Sequence, residues 1–288
     1  MTHAKKSLGQ NFLKDKKILK KIVDFAQIKK TDTVVEVGPG QGSLTELLVE
    51  RAKKIIAIEK DENLVVLLKD KFAKIIKEGR LEIVGGDILD LKLKKNSCSL
   101  SAYQILLNFC STQSTSAHSQ DCSRFSTEKY LLVGNIPYYI TGALFKKAFE
   151  AKKTPESLTF VVQKEVADRI LAKDGKESIL SISIKAYGEP HFGGIIKAGS
   201  FNPKPKVDSA IIAVRNINKK RFLETQKQND FEKRFFEILK KGFAHKRKLL
   251  AKNLNIKSEI LKKCGLSEKA RAEDLKINDW INLAKEIV

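Results

Sequence analysis

The sequence lacks several features that define whole classes of protein. It has no run of about 18 apolar residues, so we expect no membrane-spanning helix. Its N-terminal residues lack the apolar region of a secretory signal. Only four cysteines occur, Cys98, Cys110, Cys122 and Cys264, and none forms a Cys-x-x-Cys pair. Neither a disulfide framework nor a zinc site is therefore indicated, and we expect a cytoplasmic protein with free thiols, no metal and no membrane partner.

Acidic residues are also scarce relative to basic ones. The chain of 288 residues has 34 Asp and Glu against 55 Lys and Arg, which gives a formal net charge of +21. Such an excess favours a polyanionic partner, above all a nucleic acid. The alternative is a lysine-rich solvated surface without function, since the lysines are spread along the whole chain.

Short β-rich segments alternate with amphipathic helical segments over the first two-thirds of the chain. The predicted strands are "TVVEVG", "KIIAIE", "RLEIVGGD", "KYLLVGN", "SLTFVVQ" and "SAIIAVR". The helix after the first strand is expected to start at Ser43 as N-cap, with Glu46 completing a capping box. This alternation predicts an α/β fold with a doubly wound, mostly parallel Rossmann-like sheet.

The predicted domain organisation follows from where this alternation stops. Residues 1–216 are expected to form the ligand-binding α/β domain, and residues 217–288 a small all-helical domain. The Ser-, Thr- and Gln-rich stretch 94–128 is interpreted as a surface insertion, with a short helix at "YQILLNF".

Residues suited to hold one polar ligand follow four predicted strands in succession. They are Gly38, Glu59, Asp87 and Asn135. Ligands of doubly wound sheets bind beyond the carboxyl ends of the strands. We therefore expect the four residues to meet in one site.

The first of these strand ends is a glycine-rich turn, "VEVGPGQGSLT". Glycines such as Gly38 and Gly40 let the main chain approach a ligand closely. The spacing G-x-G-x-G differs from the dinucleotide pattern G-x-G-x-x-G. It suits a ligand without a pyrophosphate, such as S-adenosylmethionine, although a tight turn alone would also require glycines.

Two acidic residues fit the adenosyl part of such a ligand. Glu59 is placed to accept hydrogen bonds from both ribose hydroxyls; the alternative is an N-cap of the next helix, a role that Asp61 could fill. Asp87 can accept from an adenine amine while Ile88 covers an adenine face; alternatively, Asp87 starts a turn or caps a helix.

The segment "GNIPYYI" is suited to an adenine N6 amine, a poor nucleophile whose lone pair is delocalised into the ring. If the Asn135 side-chain oxygen and the Ile136 carbonyl accept its two N–H bonds, the lone pair can point at a methyl donor. Pro137 restricts Ile136 to extended geometry, and Tyr138 can stack on an extruded base. The alternative is a Pro-Tyr turn that packs its rings into the core.

A basic run, "KKGFAHKRKLL", is predicted to present Lys246, Arg247 and Lys248 together on a helix. We call these three residues the basic trio. They are candidates for contact with an RNA backbone, against the alternative of a solvated helix face.

The sequence resembles the ribosomal RNA adenine N6,N6-dimethyltransferases of the small-subunit, KsgA type over nearly its full length. The resemblance is carried, in order, by "KSLGQNFL", "VEVGPGQGSLT", "AIE", "GGDIL", "VGNIPYYI", "VVQKEVADRI", "GSFNPKPKVDSAII", "FAHKRKLLAKNL" and "RAEDL". It implies a class I methyltransferase sheet with a C-terminal RNA-contacting helical domain. The segment between Asp87 and Asn135 is longer than is usual in the family.

The resemblance also implies an activity and further site residues. Gln10, Asn11 and Leu13 would contact S-adenosylmethionine, and Phe201 would lie against the target adenine. The enzyme would dimethylate two adjacent adenosines in a hairpin loop near the 3′ end of small-subunit rRNA, within a pre-ribosomal particle, and would contribute to small-subunit biogenesis. We expect it to act as a monomer.

Three other functions compete with this interpretation. A nicotinamide-dependent oxidoreductase shares the glycine turn and the acidic residue, but it does not explain "NIPY" or the charge. An RNA-binding assembly factor without catalysis would not need Asn135, Pro137 and Tyr138. A large-subunit rRNA methylase would use the same chemistry, but "FNPKPKVDS" and the C-terminal segment resemble the small-subunit enzymes more closely.

Overall fold

A computed structural model describes residues 9–91, 98–107, 129–151, 153–223 and 230–287. Its strands are β1 (Phe12–Leu13), β2 (Thr33–Val37), β3 (Lys54–Glu59), β4 (Leu81–Gly85), β5 (Tyr130–Asn135), β6 (Ser157–Gln163), β7 (Glu189–Ile196), β8 (Phe201–Asn202) and β9 (Ser209–Arg215). Its helices are α1 (Lys16–Phe25), α2 (Ser43–Arg51), α3 (Glu62–Lys71), α4 (Ala73–Lys77), α5 (Leu100–Leu106), α6 (Thr141–Glu150), α7 (Lys164–Leu171), α8 (Ile179–Tyr187), α9 (Lys220–Leu223), α10 (Phe231–Gly242), α11 (Leu250–Leu254), α12 (Ser258–Lys263) and α13 (Ile277–Ile287).

The main sheet has the strand order β4-β3-β2-β5-β6-β9-β7. Strands β4, β3, β2, β5 and β6 run parallel to their neighbours, and β9 pairs antiparallel with β6. Val34 of β2 lies opposite Ile55 of β3 on one side and Leu131 of β5 on the other. The predicted α/β fold with a mostly parallel sheet is confirmed, and so are all six predicted strands.

The central strands are buried on both faces because helices cover them. Every residue of β2 is buried, as expected for a parallel strand inside a doubly wound sheet. Helix α1 buries Leu19, Ile22 and Val23 against this core. It begins after Asp15, whose carboxylate accepts the main-chain N–H groups of Lys17 and Ile18, at 2.9 Å and 3.3 Å.

Three features of the fold differ from the sequence-based expectations. Strand β7 was not predicted, since Pro190, Gly193 and Gly194 interrupt its β pattern. The small sheet formed by β1 and β8 was also missed, because two-residue strands leave no periodic signal. The N-cap of α2 is Gly42 and not Ser43: the glycine has a φ of 81°, and Ser43 is the first residue of the helix.

The chain divides into two compact units. One comprises Met1–Lys164 and His191–Arg215, and the other Glu165–Pro190 and Asn216–Val288. The structure draws this boundary differently from the sequence, because Glu165–Pro190 belongs with the C-terminal helices. Within that second unit, the Tyr187 ring stacks on Phe236 with centroids 5.8 Å apart, and the Asn218 N–H donates to the Tyr187 carbonyl at 2.9 Å.

Most of the predicted insertion at 94–128 lies outside the described residues. The described part contains α5, which starts after Ser99 and overlaps the helix predicted at "YQILLNF". No helix in the described part of the chain is long and apolar enough to span a membrane. The same residues contain no cluster of three potential metal ligands.

Candidate active site at the carboxyl edge of the sheet

The four polar strand ends meet at one cavity. Gly38, Glu59, Asp87 and Asn135 follow or end β2, β3, β4 and β5, which are neighbours in the sheet, and all four line this cavity. The empty space between its walls, including the opening to solvent, measures about 1050 Å³. The polar groups of these four strand ends can therefore contact one ligand that enters the cavity.

The glycine turn forms one wall of the cavity. Gly38 has a φ of 65°, and a Cβ built on it meets no atom within 4 Å, so the main chain there faces open space. Gly40 has a φ of 60°, and a Cβ built on it would lie 2.9 Å from the Phe12 ring. A side chain at either position would strain the main chain, and it would also occupy the cavity at Gly38 or collide with the Phe12 ring at Gly40. Glycine is therefore the residue that suits both positions.

Glu59 fixes this turn from the neighbouring strand. It is 5% exposed, and its carboxylate accepts the N–H groups of Gly40 at 3.0 Å and Asp61 at 2.9 Å. Burial raises the pKa of the Glu59 carboxyl, and these two hydrogen bonds counteract the shift. The cap of α3 is instead Asp61, which accepts the Asn63 N–H at 3.1 Å. The oxygens of Glu59 retain lone pairs for ligand hydroxyl groups.

Asp87 makes two contacts in the structure. One oxygen accepts the Leu89 N–H at 2.9 Å, which makes Asp87 the N-cap of the 3₁₀ turn Ile88–Asp90, and the other accepts Lys60 Nζ at 2.8 Å. Burial acts to raise the pKa of the Asp87 carboxyl, but the Lys60 and Leu89 hydrogen bonds outweigh it and hold the pKa below its usual value. Asp87 is therefore an ionised acceptor at neutral pH, beside the buried Ile88 in the cavity wall.

Asn135 has a fixed orientation. Its Nδ2 donates to the main-chain oxygen of Asn11 at 3.0 Å, which directs Oδ1 away from that segment. Among the described residues, none donates a hydrogen bond to Asn135 Oδ1 or to the Ile136 carbonyl. Both residues line the cavity together with Pro137 and Tyr138. Two acceptors on adjacent residues are thus available for a ligand that carries an amine.

Tyr138 is anchored at its far end. Its hydroxyl forms a 2.6 Å hydrogen bond with Oγ of Ser209, a fully buried residue at the start of β9. Burial raises the pKa of the Tyr138 hydroxyl, and the Ser209 hydrogen bond lowers it in part. The ring is half-buried and lines the cavity, so it can pack on a planar group without first being ordered.

The N-terminal segment closes another side of the cavity. Gln10, Asn11 and Leu13 all line it, and their expected contact with S-adenosylmethionine stays a prediction. Gln10 Nε2 donates to Asp61 Oδ2 at 3.3 Å, and Asn11 Nδ2 donates to the Gly9 carbonyl at 3.2 Å. Strand β1 holds this segment in place by pairing with β8.

Phe201 is the residue that the resemblance places against the target adenine. It is 5% exposed and packs in the core, opposite Leu13 in the β1–β8 pair. It is absent from the cavity wall. The structure shows this packing contact, and the expected contact between Phe201 and a target base stays a prediction.

The basic trio is exposed, but it does not lie on a helix. Lys246, Arg247 and Lys248 occupy the turn between α10 and α11. Asn253 holds this turn by donating from Nδ2 to the carbonyls of Gly242 at 2.6 Å and His245 at 3.0 Å. The predicted helical presentation is wrong, whereas the predicted role in RNA binding stays a prediction.

Sequence reasoning missed four residues of the site. Lys60 and Tyr139 line the cavity, and Ser209 anchors Tyr138. Glu36 is the fourth: it is 1% exposed, lines the cavity from the middle of β2, and accepts the Thr45 hydroxyl at 2.8 Å. Burial raises the pKa of the Glu36 carboxyl to about 8. The signal was available, since a lone acidic residue inside the apolar strand "TVVEV" requires a local reason.

Comparison with known proteins gives a consistent result. A family model described as ribosomal RNA adenine dimethylase matches residues 1–288. The chain is 37% identical to the ribosomal RNA small subunit methyltransferase A of Fusobacterium nucleatum, over 98% of this chain and 96% of the relative. It is 36% identical to the protein of the same name from Dehalococcoides mccartyi, over 98% of this chain and 88% of the relative.

The fold comparison agrees with the sequence comparison. The crystal structure of the 23S rRNA methyltransferase ErmE superposes with a TM-score of 0.69 at 25% identity, over 96% of this chain and 99% of that one. The predicted class I methyltransferase fold is confirmed. From the match over the full length and the cavity described above, the chain belongs to the ribosomal RNA adenine dimethylase family.

Proposed function

We propose that this enzyme dimethylates the N6 amines of two adjacent adenosines in a hairpin loop near the 3′ end of small-subunit rRNA. The observation that carries this proposal is the pair of acceptors, Asn135 Oδ1 and the Ile136 carbonyl, on two residues that line the cavity. An adenine amine has two N–H bonds, and the pair can accept one each.

S-adenosylmethionine is the cofactor of this family, and the cavity fits it on three grounds. The main chain at Gly38 leaves room for a ligand in the place that a Cβ would occupy. The buried Glu59 has oxygens suited to ribose hydroxyls, and Asp87 is an ionised acceptor suited to the adenine amine. The ionised Asp87 carboxylate lines the cavity beside Glu59, and Glu36 adds a negative charge as the pH approaches about 8, which suits a cationic ligand. The cofactor supplies an electrophilic methyl group on a cationic sulfur, which leaves as a neutral thioether.

The chain's own residues activate and hold the target base. Hydrogen bonds from the amine to Asn135 and Ile136 localise its lone pair on nitrogen, so that the nitrogen can form a bond to the methyl carbon. The nitrogen becomes cationic and acidic as that bond forms, and it releases a proton without a dedicated base. Tyr138, held by Ser209, stacks on the extruded ring. Pro137 keeps the Ile136 carbonyl directed at the site by restricting the main chain.

The small ribosomal subunit is the favoured source of the substrate. The curated relatives named as small-subunit enzymes are 36% and 37% identical to this chain, whereas the 23S enzyme is 25% identical. We propose that the protein acts as a monomer in the cytoplasm, on rRNA within a pre-ribosomal particle, and contributes to small-subunit biogenesis. Its net charge of +21 supports binding to the RNA backbone.

The test is methyl transfer to purified subunits. The protein is incubated with labelled S-adenosylmethionine and either unmethylated small subunits or large subunits, and the rRNA is digested to nucleosides. The nucleosides should include N6,N6-dimethyladenosine from the small subunit alone, and mapping of a parallel undigested sample should place it at two neighbouring positions near the 3′ end. Label in the large subunit, or in a nucleoside other than adenosine, would refute the proposal.

A further inference from the structure

The wall of the cavity contains an exposed aromatic ring that the proposed mechanism does not use. Tyr139 lies in the 3₁₀ turn Tyr138–Ile140 and lines the cavity. It is 62% exposed, whereas the preceding Tyr138 is half-buried and tied to Ser209. Removing a ring of this size from water is favourable, so its exposure at the rim of a binding site suggests that a ligand covers it.

The Tyr139 ring is held against the N-terminal segment. A Cβ built on Gly9 would lie 3.3 Å from Cε1 of Tyr139 and 3.8 Å from Cβ of Pro137. Gly9 has a φ of 60°, which disfavours any other residue there. The main chain at Gly9 can therefore lie against the ring because it carries no side chain. A ring positioned in this way loses little conformational freedom when a planar partner stacks on it.

A cationic side chain lines the same cavity as the ring. The pKa of the Lys60 ammonium is raised, first by its hydrogen bond to Asp87 and also by the nearby Tyr139 hydroxyl. Lys60 lines the same cavity and its side chain is half-exposed. Proteins hold unpaired nucleotides with aromatic rings that stack on the bases and with cations that attract the backbone, and this cavity wall offers one of each.

We propose that Tyr139 is the stacking platform for the unpaired base next to the target adenosine. This inference rests on the proposed function and extends it, because Tyr138 contacts the reacting base while Tyr139 positions its neighbour. A loop nucleotide that leaves its own stack when the target is extruded regains stacking on this ring. Tyr139 is thus a positioning residue for RNA and not a catalytic one.

The test compares Tyr139→Ala, Tyr139→Phe and a control, Phe192→Ala. Phe192 is also a partly exposed aromatic residue of the first unit, but it is absent from the cavity wall. The KM for unmethylated small subunits should rise roughly 5- to 100-fold in Tyr139→Ala, the range found when a base loses one stacking partner. The kcat at saturating RNA and the Kd for S-adenosylhomocysteine should stay unchanged. Tyr139→Phe, which keeps the ring, should behave like the wild type.

A direct readout separates this inference from the proposed function. A single-stranded oligoribonucleotide carries the fluorescent base 2-aminopurine beside two adjacent adenosines, and its fluorescence is followed on binding. Stacking should quench it with the wild type and Tyr139→Phe, and not with Tyr139→Ala. Equal quenching by all three variants, or a loss of cofactor affinity in Tyr139→Ala with no change in KM for RNA, would overturn the inference. Quenching that depends on Tyr139 in a protein that transfers no methyl group would refute only the proposed function.

Discussion

The pH dependence of stability should reveal the protonation of one buried carboxyl group. Glu36 lies in the middle of β2 and has a pKa of about 8, compared with 4.5 for an ordinary glutamate. Burial is the main cause, the neighbouring Glu59 adds to it, and the Thr45 hydrogen bond opposes it. At neutral pH the carboxyl is therefore mostly protonated in the folded protein and ionised in the unfolded chain.

The sign and size of the effect follow from proton linkage. Between pH 4.5 and about 8 the folded state holds one more proton at Glu36 than the unfolded state does. The free energy of unfolding should therefore fall as pH rises through this window, by about 1.4 kcal/mol per pH unit from this group. Below the window both states are protonated, and above it both are ionised, so the contribution becomes constant.

The perturbation is Glu36→Gln, which removes the titration and keeps an oxygen that can accept the Thr45 hydroxyl. Urea unfolding of both proteins without cofactor, at roughly pH 5.5, 6.5 and 7.5, gives the difference between their unfolding free energies. Contributions from the other carboxyl groups largely cancel in this difference. The wild type should lose stability relative to the variant by about 1.4 kcal/mol per pH unit.

A control variant tests the assigned cause. Thr45→Val removes the hydrogen bond that lowers the pKa of Glu36, so the window should extend to higher pH. If the stability curves of the wild type and Glu36→Gln instead run parallel, Glu36 is ionised in the folded protein, and the reasoning from burial is wrong.

Three further predictions concern the cavity and the RNA surface. Because a cationic cofactor favours the ionised form of Glu36, its affinity should rise between about pH 6.5 and about pH 8, and calorimetry of Glu36→Gln should show a weaker rise. Gly40→Ala should weaken cofactor binding at least tenfold (about 1.4 kcal/mol), measured by titration with S-adenosylhomocysteine, because its Cβ would meet an aromatic ring at 2.9 Å. Changing the basic trio to alanine should weaken RNA binding and reduce the slope of log K against log salt by roughly two to three, without changing cofactor affinity.

Matched controls exist for the last two predictions. Gly79 has a φ of 73° and open space around its Cβ position, so Gly79→Ala carries the strain at positive φ without the clash at the cavity. Loss of cofactor affinity in both glycine variants would assign the effect to global destabilisation. For the trio, the charge-matched control removes three exposed lysines of α3 and α4: Lys69, Lys74 and Lys77. An equal change of salt slope in that control would mean that the charge effect is not local.

The sequence predicts those parts of the site that depend on strand order. Gly38, Glu59, Asp87 and Asn135 each follow a β-rich segment, and parallel strands bring their carboxyl ends to one edge. The sequence alone therefore predicts that these four residues lie in one site. The N-terminal residues Gln10, Asn11 and Leu13 required the family resemblance, because only the pairing of β1 with β8 brings them there.

The features that the sequence did not predict depend on long-range contacts. Local composition in "GFAHKRKLL" favours a continuing helix, but α10 ends at Gly242, whose carbonyl accepts Asn253 Nδ2. Gly242 also lies against the Trp280 ring, closer than a side chain would allow. The burial of Phe201 likewise depends on its pairing opposite Leu13, which is distant in the sequence.

The central claim is that Asn135 accepts a hydrogen bond from the amine that receives the methyl group. The most direct test is the single-turnover rate of methyl transfer by Asn135→Ala on unmethylated small subunits, with both substrates saturating. The account predicts a rate at least about 100-fold below that of the wild type, with folding, cofactor binding and RNA binding retained. A rate within a few-fold of the wild type would contradict it.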